Sequence, residues 1–170
     1  PAPAETSALP PAVETGLVRA KESVGNPAAT PAQLLKAVAD LTGLRNGGDV
    51  PAEAKASADA LILNADARLR AWSAERISGL DAQLEASLTA GDAIQAIGRI
   101  RVDEATGTSI DPVAWADLRA RADRRLARLK RIEDFLAESD RMDLRAKVLE
   151  AAFHRIGESA SEADRPEDRK

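Results

Sequence analysis

The sequence predicts an all-α protein, and three observations lead to that prediction. Alanine, the most favourable residue in a helix, makes up about a fifth of the 170 residues. Apolar residues recur every three or four positions through most of the segment from Pro51 to Gly157, which is the period of a helix. The chain has two Phe and no Tyr, so it lacks the aromatic content typical of β-sheet proteins.

The first elements are short. Residues 1–29 begin with the proline-rich sequence PAPAETSALPPA, and we expect a flexible arm that holds one short helix over Val13–Val24. Thr30 and Pro31 are the residue types favoured at the N-cap and at the first helical position. A second helix therefore starts there, and it ends before Gly43, a typical C-terminal glycine.

A long helix follows, from Pro51 to about Thr89. Its apolar stripe recurs at helical spacing and consists of Leu61, Ala65, Leu69, Trp72, Ile77, Leu80, Leu84 and Leu88. Gly79 interrupts the pattern and suggests a close helix crossing or a kink, since glycine costs up to about 1 kcal/mol in a helix. Gly91-Asp92 begins a shorter helix over residues 92–105, and residues 106–110 are expected to form a loop.

Asp111-Pro112 is a strong start signal for the next helix. Apolar residues then alternate at spacings of three and four, close to a heptad pattern, between Trp115 and Leu136. Ser139-Asp140 resembles another N-cap. Two alternatives stay open: a second helix over residues 140–156, or one helix that continues to Ile156.

These elements predict an antiparallel long-helix hairpin, in which the helix from Pro51 pairs with the helix from Pro112. The shorter helices would complete a helical bundle with coiled-coil-like packing. We therefore divide the chain into a flexible Pro/Ala-rich arm (1–29), a helical domain (30–157) and a disordered charged tail (158–170). The tail is assigned because it contains no large apolar residue.

The sequence lacks the residues and motifs typical of catalytic and metal-binding sites. There is no cysteine, which excludes disulfides and thiolate metal sites, and no Gly-x-Ser-x-Gly sequence. The single histidine, His154, has only Glu150 near it on the same helical face, which is too few ligands for a metal ion. The spacing of Gly43 and Gly48 resembles a phosphate-binding loop but lacks its lysine. We expect no enzyme activity, no cofactor and no metal.

Two sets of residues are candidates for partner binding. An arginine stripe, consisting of Arg121, Arg124, Arg128 and Arg131, lies beside the apolar residues of the Pro112 helix. It fits an acidic partner or a phosphate backbone. It also fits a solvated helix face with intrahelical ion pairs such as Asp117–Arg121. Trp72 and Trp115 are either core anchors or the centre of a docking surface.

The favoured function is therefore a non-enzymatic helical protein-binding module, such as an adaptor, scaffold or assembly subunit. Its partner would be another protein or a second copy of the chain. One alternative is a nucleic-acid-associated protein that uses the arginine face, which the net charge of −4 disfavours. Another is a helical enzyme or ligand carrier with a site between helices. No apolar run reaches the ~18 residues of a membrane span, and the composition does not distinguish a cytoplasmic from an envelope location.

Overall fold

The computed structural model describes residues 9–163, with side chains to residue 156, and this part of the chain is all-α, as the sequence predicts. Within it there are five helices and no strand. The helices are α1 (Pro11–Gly25), α2 (Pro31–Arg45), α3 (Ala52–Glu85), α4 (Ala90–Thr108) and α5 (Pro112–Ala163). The 34-residue α3 contacts all four other helices.

The first half of α3 packs against α1 and α2. Thr30 caps α2 as expected: its hydroxyl accepts from the Gln33 N–H at 3.3 Å, and the Gln33 side chain accepts from the Thr30 N–H at 2.8 Å. The shared core is thin, because alanine occupies many contact positions and lets the helices approach closely. Its buried residues are Ala20, Val24, Leu34, Ala37, Leu41, Ala58, Ala65 and Leu69.

The second half of α3 packs against α4 and the first part of α5. Only four residues separate α3 from α4 and three separate α4 from α5, so each helix reverses direction against the one before it. The contacts show the antiparallel direction of α3 and α4: Arg76 of α3 pairs with Asp103 of α4, and the later Gln83 of α3 pairs with the earlier Arg99 of α4. This core is the larger one and contains Leu80, Leu84, Ala96, Ile97, Ile100, Trp115, Leu118 and Ala122.

The expected antiparallel hairpin of the two long helices is not confirmed. Contacts between α3 and α5 advance together along both helices: Ser73 meets Trp115, Asp81 meets Arg121, and Glu85 meets Arg125. The two helices are therefore parallel. The physical reason is that α4 runs back between them, so α5 regains the direction of α3, and α5 packs more extensively on α4 than on α3.

Several helix ends differ from the sequence-based expectation. α3 ends at Glu85 rather than Thr89, because Thr89 serves instead as the N-cap of α4. α4 continues to Thr108, so most of the loop expected over residues 106–110 is helical. Gly79 marks no close crossing, since a Cβ built there would meet nothing within 4 Å.

α5 is continuous from Pro112 to Ala163, so the one-helix alternative is confirmed and Ser139-Asp140 does not start a new helix. The helix also extends through residues 158–163, where a disordered tail was expected. A lack of apolar residues indicates a lack of burial rather than a lack of helix, and this segment is rich in Ala and Glu, which favour helices. The remainder of the expected tail, residues 164–170, and the first residues of the expected arm, 1–8, lie outside the described residues.

Candidate interaction surface on the distal half of α5

The first part of α5 is firmly held by the body of the protein. Trp115 is 0% exposed, and Leu118 and Ala122 are also fully buried. The Arg125 guanidinium donates to the backbone carbonyls of Glu85 (3.1 Å) and Ser87 (2.8 Å), where a cation is favourable at the C-terminal end of α3. These contacts fix the direction in which the rest of α5 leaves the body.

The last anchor is Glu133. Its carboxylate accepts from the backbone N–H of Ala90 at 2.7 Å, at the N-terminus of α4, where a negative charge is favourable. From Lys130 to Ile156 every residue except Ser139 is exposed, so this part of the helix projects into solvent and Glu133 ties its near end to the body. We call residues 132–156 the distal half of α5.

Large apolar side chains remain exposed along this projection, with Phe135 and Phe153 each 71% exposed. Eight positions repeat with a strict seven-residue period on one face. This a/d face consists of Ile132, Ser139, Ala146 and Phe153 at a, and Phe135, Met142, Leu149 and Ile156 at d. Six of the eight side chains are large and apolar, and monomeric soluble proteins rarely expose so long an apolar face, so we treat it as the candidate interaction surface.

The a/d face was not predicted from the sequence. The N-cap signal at Ser139-Asp140 left open whether one or two helices cover residues 112–156, and the near-heptad spacing was followed only from Trp115 to Leu136. The available signal was the seven-residue recurrence of Phe135, Met142, Leu149 and Ile156, which becomes apparent once the helix is continuous. Leu144 and Val148 are also exposed, but they lie away from the a/d face.

The structure divides the arginine stripe. Arg121 is half-buried and its Nε donates to the Asp81 carboxylate of α3 at 3.1 Å, so it joins helices instead of pairing with Asp117. Arg124, Arg128 and Arg131 are exposed.

The three exposed arginines differ in their contacts. Nε of Arg131 donates to the Ala127 carbonyl at 3.3 Å. Among the side chains described, up to residue 156, none forms an ion pair or hydrogen bond with Arg124 or Arg128. These three arginines line a shallow depression with Ile132, Phe135 and Leu136, at the near end of the a/d face.

The two tryptophans lie in the core between α3, α4 and α5. Their rings stack with centroids 6.2 Å apart and an interplanar angle of 20°. The indole N–H of Trp115 donates to the buried Ser73 hydroxyl at 2.9 Å. Trp115 therefore has no surface available to a partner, and Trp72 is half-buried against the same core.

The pKa of the Asp92 carboxyl is lowered, chiefly by the hydrogen bond from the Thr89 side chain and then by backbone N–H donors at Thr89 and Leu88. Among the side chains that the structure describes, those of residues 9–156, no three His, Asp or Glu cluster as metal ligands would. No helix in that range has the length and hydropathy to cross a membrane.

Comparisons of the chain with protein-family models, with curated proteins and with solved structures found no match. The function is therefore argued from the geometry and charge of the surface itself.

Proposed function

We propose that this protein is a non-enzymatic helical interaction module that binds a polypeptide partner through the a/d face. One observation carries the proposal: a seven-residue apolar repeat projects, exposed, from a body whose own core is formed without it. A heptad repeat fits a helical partner, because side chains spaced by seven residues pack as knobs into the holes of a neighbouring helix.

The anchoring of α5 supports a binding role. Because Arg125 and Glu133 tie the helix to α3 and α4, the near end of the a/d face is held in one orientation. A helix that is already formed loses less conformational entropy on binding than a disordered segment. Burial of apolar side chains contributes about 25 cal/mol per Å² of apolar surface removed from water, so the face can support a stable complex.

The charge of the distal half favours protein over nucleic acid. Residues 132–156 contain six carboxylates and four Lys or Arg residues, with His154 counted as neutral. A phosphate backbone requires an excess of cations, which this segment lacks. At the near end, Arg124, Arg128 and Arg131 could support nucleic-acid binding, and such binding would weaken steeply with added salt.

Site-specific photo-crosslinking tests the proposal. A photoreactive residue at Met142, on the a/d face, should capture a polypeptide in extracts of the native cell. The matched control at Leu144 lies off the face with similar exposure, 64% against 56% for Met142. Equal capture at both positions, or capture of nucleic acid alone at Met142, would contradict a protein-binding face.

A further inference from the structure

We propose that the partner of the a/d face is a second copy of this chain, and that the two distal halves pack antiparallel. This inference rests on the proposed function and names its partner. In the proposed register, residue 144 of each copy lies at the centre, and Ile132 of one copy lies opposite Ile156 of the other. The inference is supported by the repeat, by side-chain size and by charge.

The repeat favours a helix with the same period. An α-helix has 3.6 residues per turn, so a strict seven-residue repeat drifts around it unless two helices wind about each other. The a/d face keeps this period over eight consecutive a and d positions, from Ile132 to Ile156. A second copy presents the same period over the same length, so all eight positions can pack in one continuous interface.

Side-chain size favours the antiparallel direction. In the proposed register Ser139 lies opposite Leu149, and Ala146 lies opposite Met142, so each small side chain faces a large one. A parallel, in-register pair would place serine against serine and alanine against alanine. Those two layers would leave voids, which cost stability in a packed interface.

Charge favours the same direction. The near part of the distal half, residues 132–143, is acidic, and the far part, residues 145–156, is basic. The near part carries five carboxylates and one arginine: Glu133, Asp134, Glu138, Asp140, Asp143 and Arg141. The far part carries three cations and one carboxylate: Arg145, Lys147, Arg155 and Glu150. Most of these groups lie at the outward b and c positions, so they act through the net charge of each part and not through direct ion pairs across the interface. In the antiparallel pair the net negative part lies along the net positive part, whereas in the parallel pair parts of like net charge lie side by side.

Charge also argues against two other occupants. An anionic lipid surface attracts helices with an excess of Lys and Arg on their polar side. The distal half has more carboxylates than cations, so anionic lipids and nucleic acids would be repelled by it. A second copy meets a complementary arrangement instead, because each acidic part finds a basic part.

Sedimentation equilibrium of the full chain is the first test. We expect twice the monomer mass of 18.0 kDa. Leu149→Asp places a charge on the a/d face and should weaken association about tenfold or more, since an unpaired charge in an apolar interface is unfavourable. Leu144→Asp is the matched control, because Leu144 and Leu149 are similarly exposed, 64% and 59%, but only Leu149 lies on the a/d face. The control should still form the dimer.

Disulfide formation between introduced cysteines tests the direction of the pair. The chain has no cysteine of its own, so each variant carries a single thiol. Ser139→Cys and Leu149→Cys variants, mixed under oxidising conditions, should form a mixed disulfide between the two variants. Neither variant alone should form one, because identical positions are far apart in an antiparallel pair. A disulfide-linked dimer of Ser139→Cys alone would overturn the antiparallel arrangement.

The outcomes separate this inference from the proposed function. A monomeric chain at every concentration, or equal association of the Leu149→Asp and Leu144→Asp variants, overturns the second copy as partner. If the photoreactive residue at Met142 then captures a different polypeptide, the proposed function stands and only the identity of the partner is wrong. If it captures none, both fail. Unchanged tryptophan fluorescence from Trp72 and Trp115 would show that each variant keeps its folded core.

Discussion

The packing of Trp115 depends on one residue that has no side chain. Gly107, in the last turn of α4, lies directly against the indole ring, and a Cβ built there would be 2.0 Å from Cε2 of Trp115. Only glycine leaves room for the ring at this point. The sequence analysis placed Gly107 in a loop and so gave it no packing role.

We therefore expect Gly107→Ala to destabilise the protein by about 1–3 kcal/mol, the usual effect of overpacking a core. Chemical denaturation followed by tryptophan fluorescence measures the change. The control is Gly79→Ala in α3, where the new methyl group meets nothing within 4 Å. It should stabilise the protein by up to about 1 kcal/mol, because alanine favours the helix. If both variants gained stability, the close contact at Gly107 would be wrong.

The buried Ser73 hydroxyl satisfies the indole N–H of Trp115. Ser73→Ala leaves that N–H without its acceptor and should cost about 1–3 kcal/mol. Ser78→Ala, at an exposed position on the same helix, should change stability little. Thermal unfolding of the two variants compares them directly, and equal melting temperatures would contradict a structural role for this hydrogen bond.

At the scale of the element, the cap at the start of α4 makes the stability of the protein depend on pH. The Asp92 carboxylate accepts from the Thr89 N–H at 3.0 Å at the start of α4, and its pKa is lowered. A depressed carboxyl pKa adds stability above the unfolded pKa, and that stability is lost as the pH falls through the folded pKa. The affected range lies below about pH 4, near the ordinary pKa of aspartate.

Asp92→Asn removes this titration. We expect the variant to be less stable than the parent at neutral pH and to lose less stability on acidification. Melting temperatures across a series of pH values measure the two profiles. If the difference between them stayed constant down to the acid limit, the Asp92 carboxylate would not contribute to the acid response.

The exposed arginines at the near end of α5 should affect association rather than folding. Arg124→Glu with Arg128→Glu should slow partner binding at low salt, because rim charges act mainly on the association rate.

The control is Arg70→Glu with Arg101→Glu, on exposed positions of α3 and α4. This double variant also replaces two exposed arginines by glutamates, but it does so on the body and away from the a/d face. Stopped-flow association and a melting curve measure the two effects. If the Arg124/Arg128 variant loses helix content, these arginines are structural.

Much of the element order could be predicted from the sequence, whereas the direction of packing could not. Caps such as Thr30 and Asp111 are local signals, and both act at their helices: the Asp111 side chain accepts from the Ala114 N–H at 3.0 Å. The relative direction of α3 and α5 depends instead on α4 lying between them. Ser139 left the continuity of α5 open at the level of sequence, because a serine that is a good N-cap is also tolerated inside an exposed helix.

The candidate surface was predicted only in part. The arginine stripe was found, but the structure ties Arg121 to Asp81 and leaves the other three arginines exposed. The role of Arg125 in capping α3 depends on tertiary contacts that no local sequence pattern reveals. The a/d face can be recognised only once α5 is known to be one continuous helix, and the sequence left that question open.

At the scale of the molecule, α3 joins two three-helix arrangements, and α5 extends beyond the second. Among the side chains described, up to residue 156, the buried ones lie in α1–α4, at Ser87 between α3 and α4, and in α5 no further than Leu129. The body therefore forms its core without the distal half, which leaves the a/d face available for association. This division between a folded body and a projecting helix is the central feature of the account.

Hydrogen exchange of residues 132–156 at several protein concentrations tests that account most directly. A solvated projecting helix should exchange quickly when the protein is dilute, because its backbone hydrogen bonds open easily. We expect its protection to rise with concentration as second copies cover the a/d face, while the protection of α3 stays constant. Fast exchange in residues 132–156 at every concentration, with the body fully protected, would contradict the account.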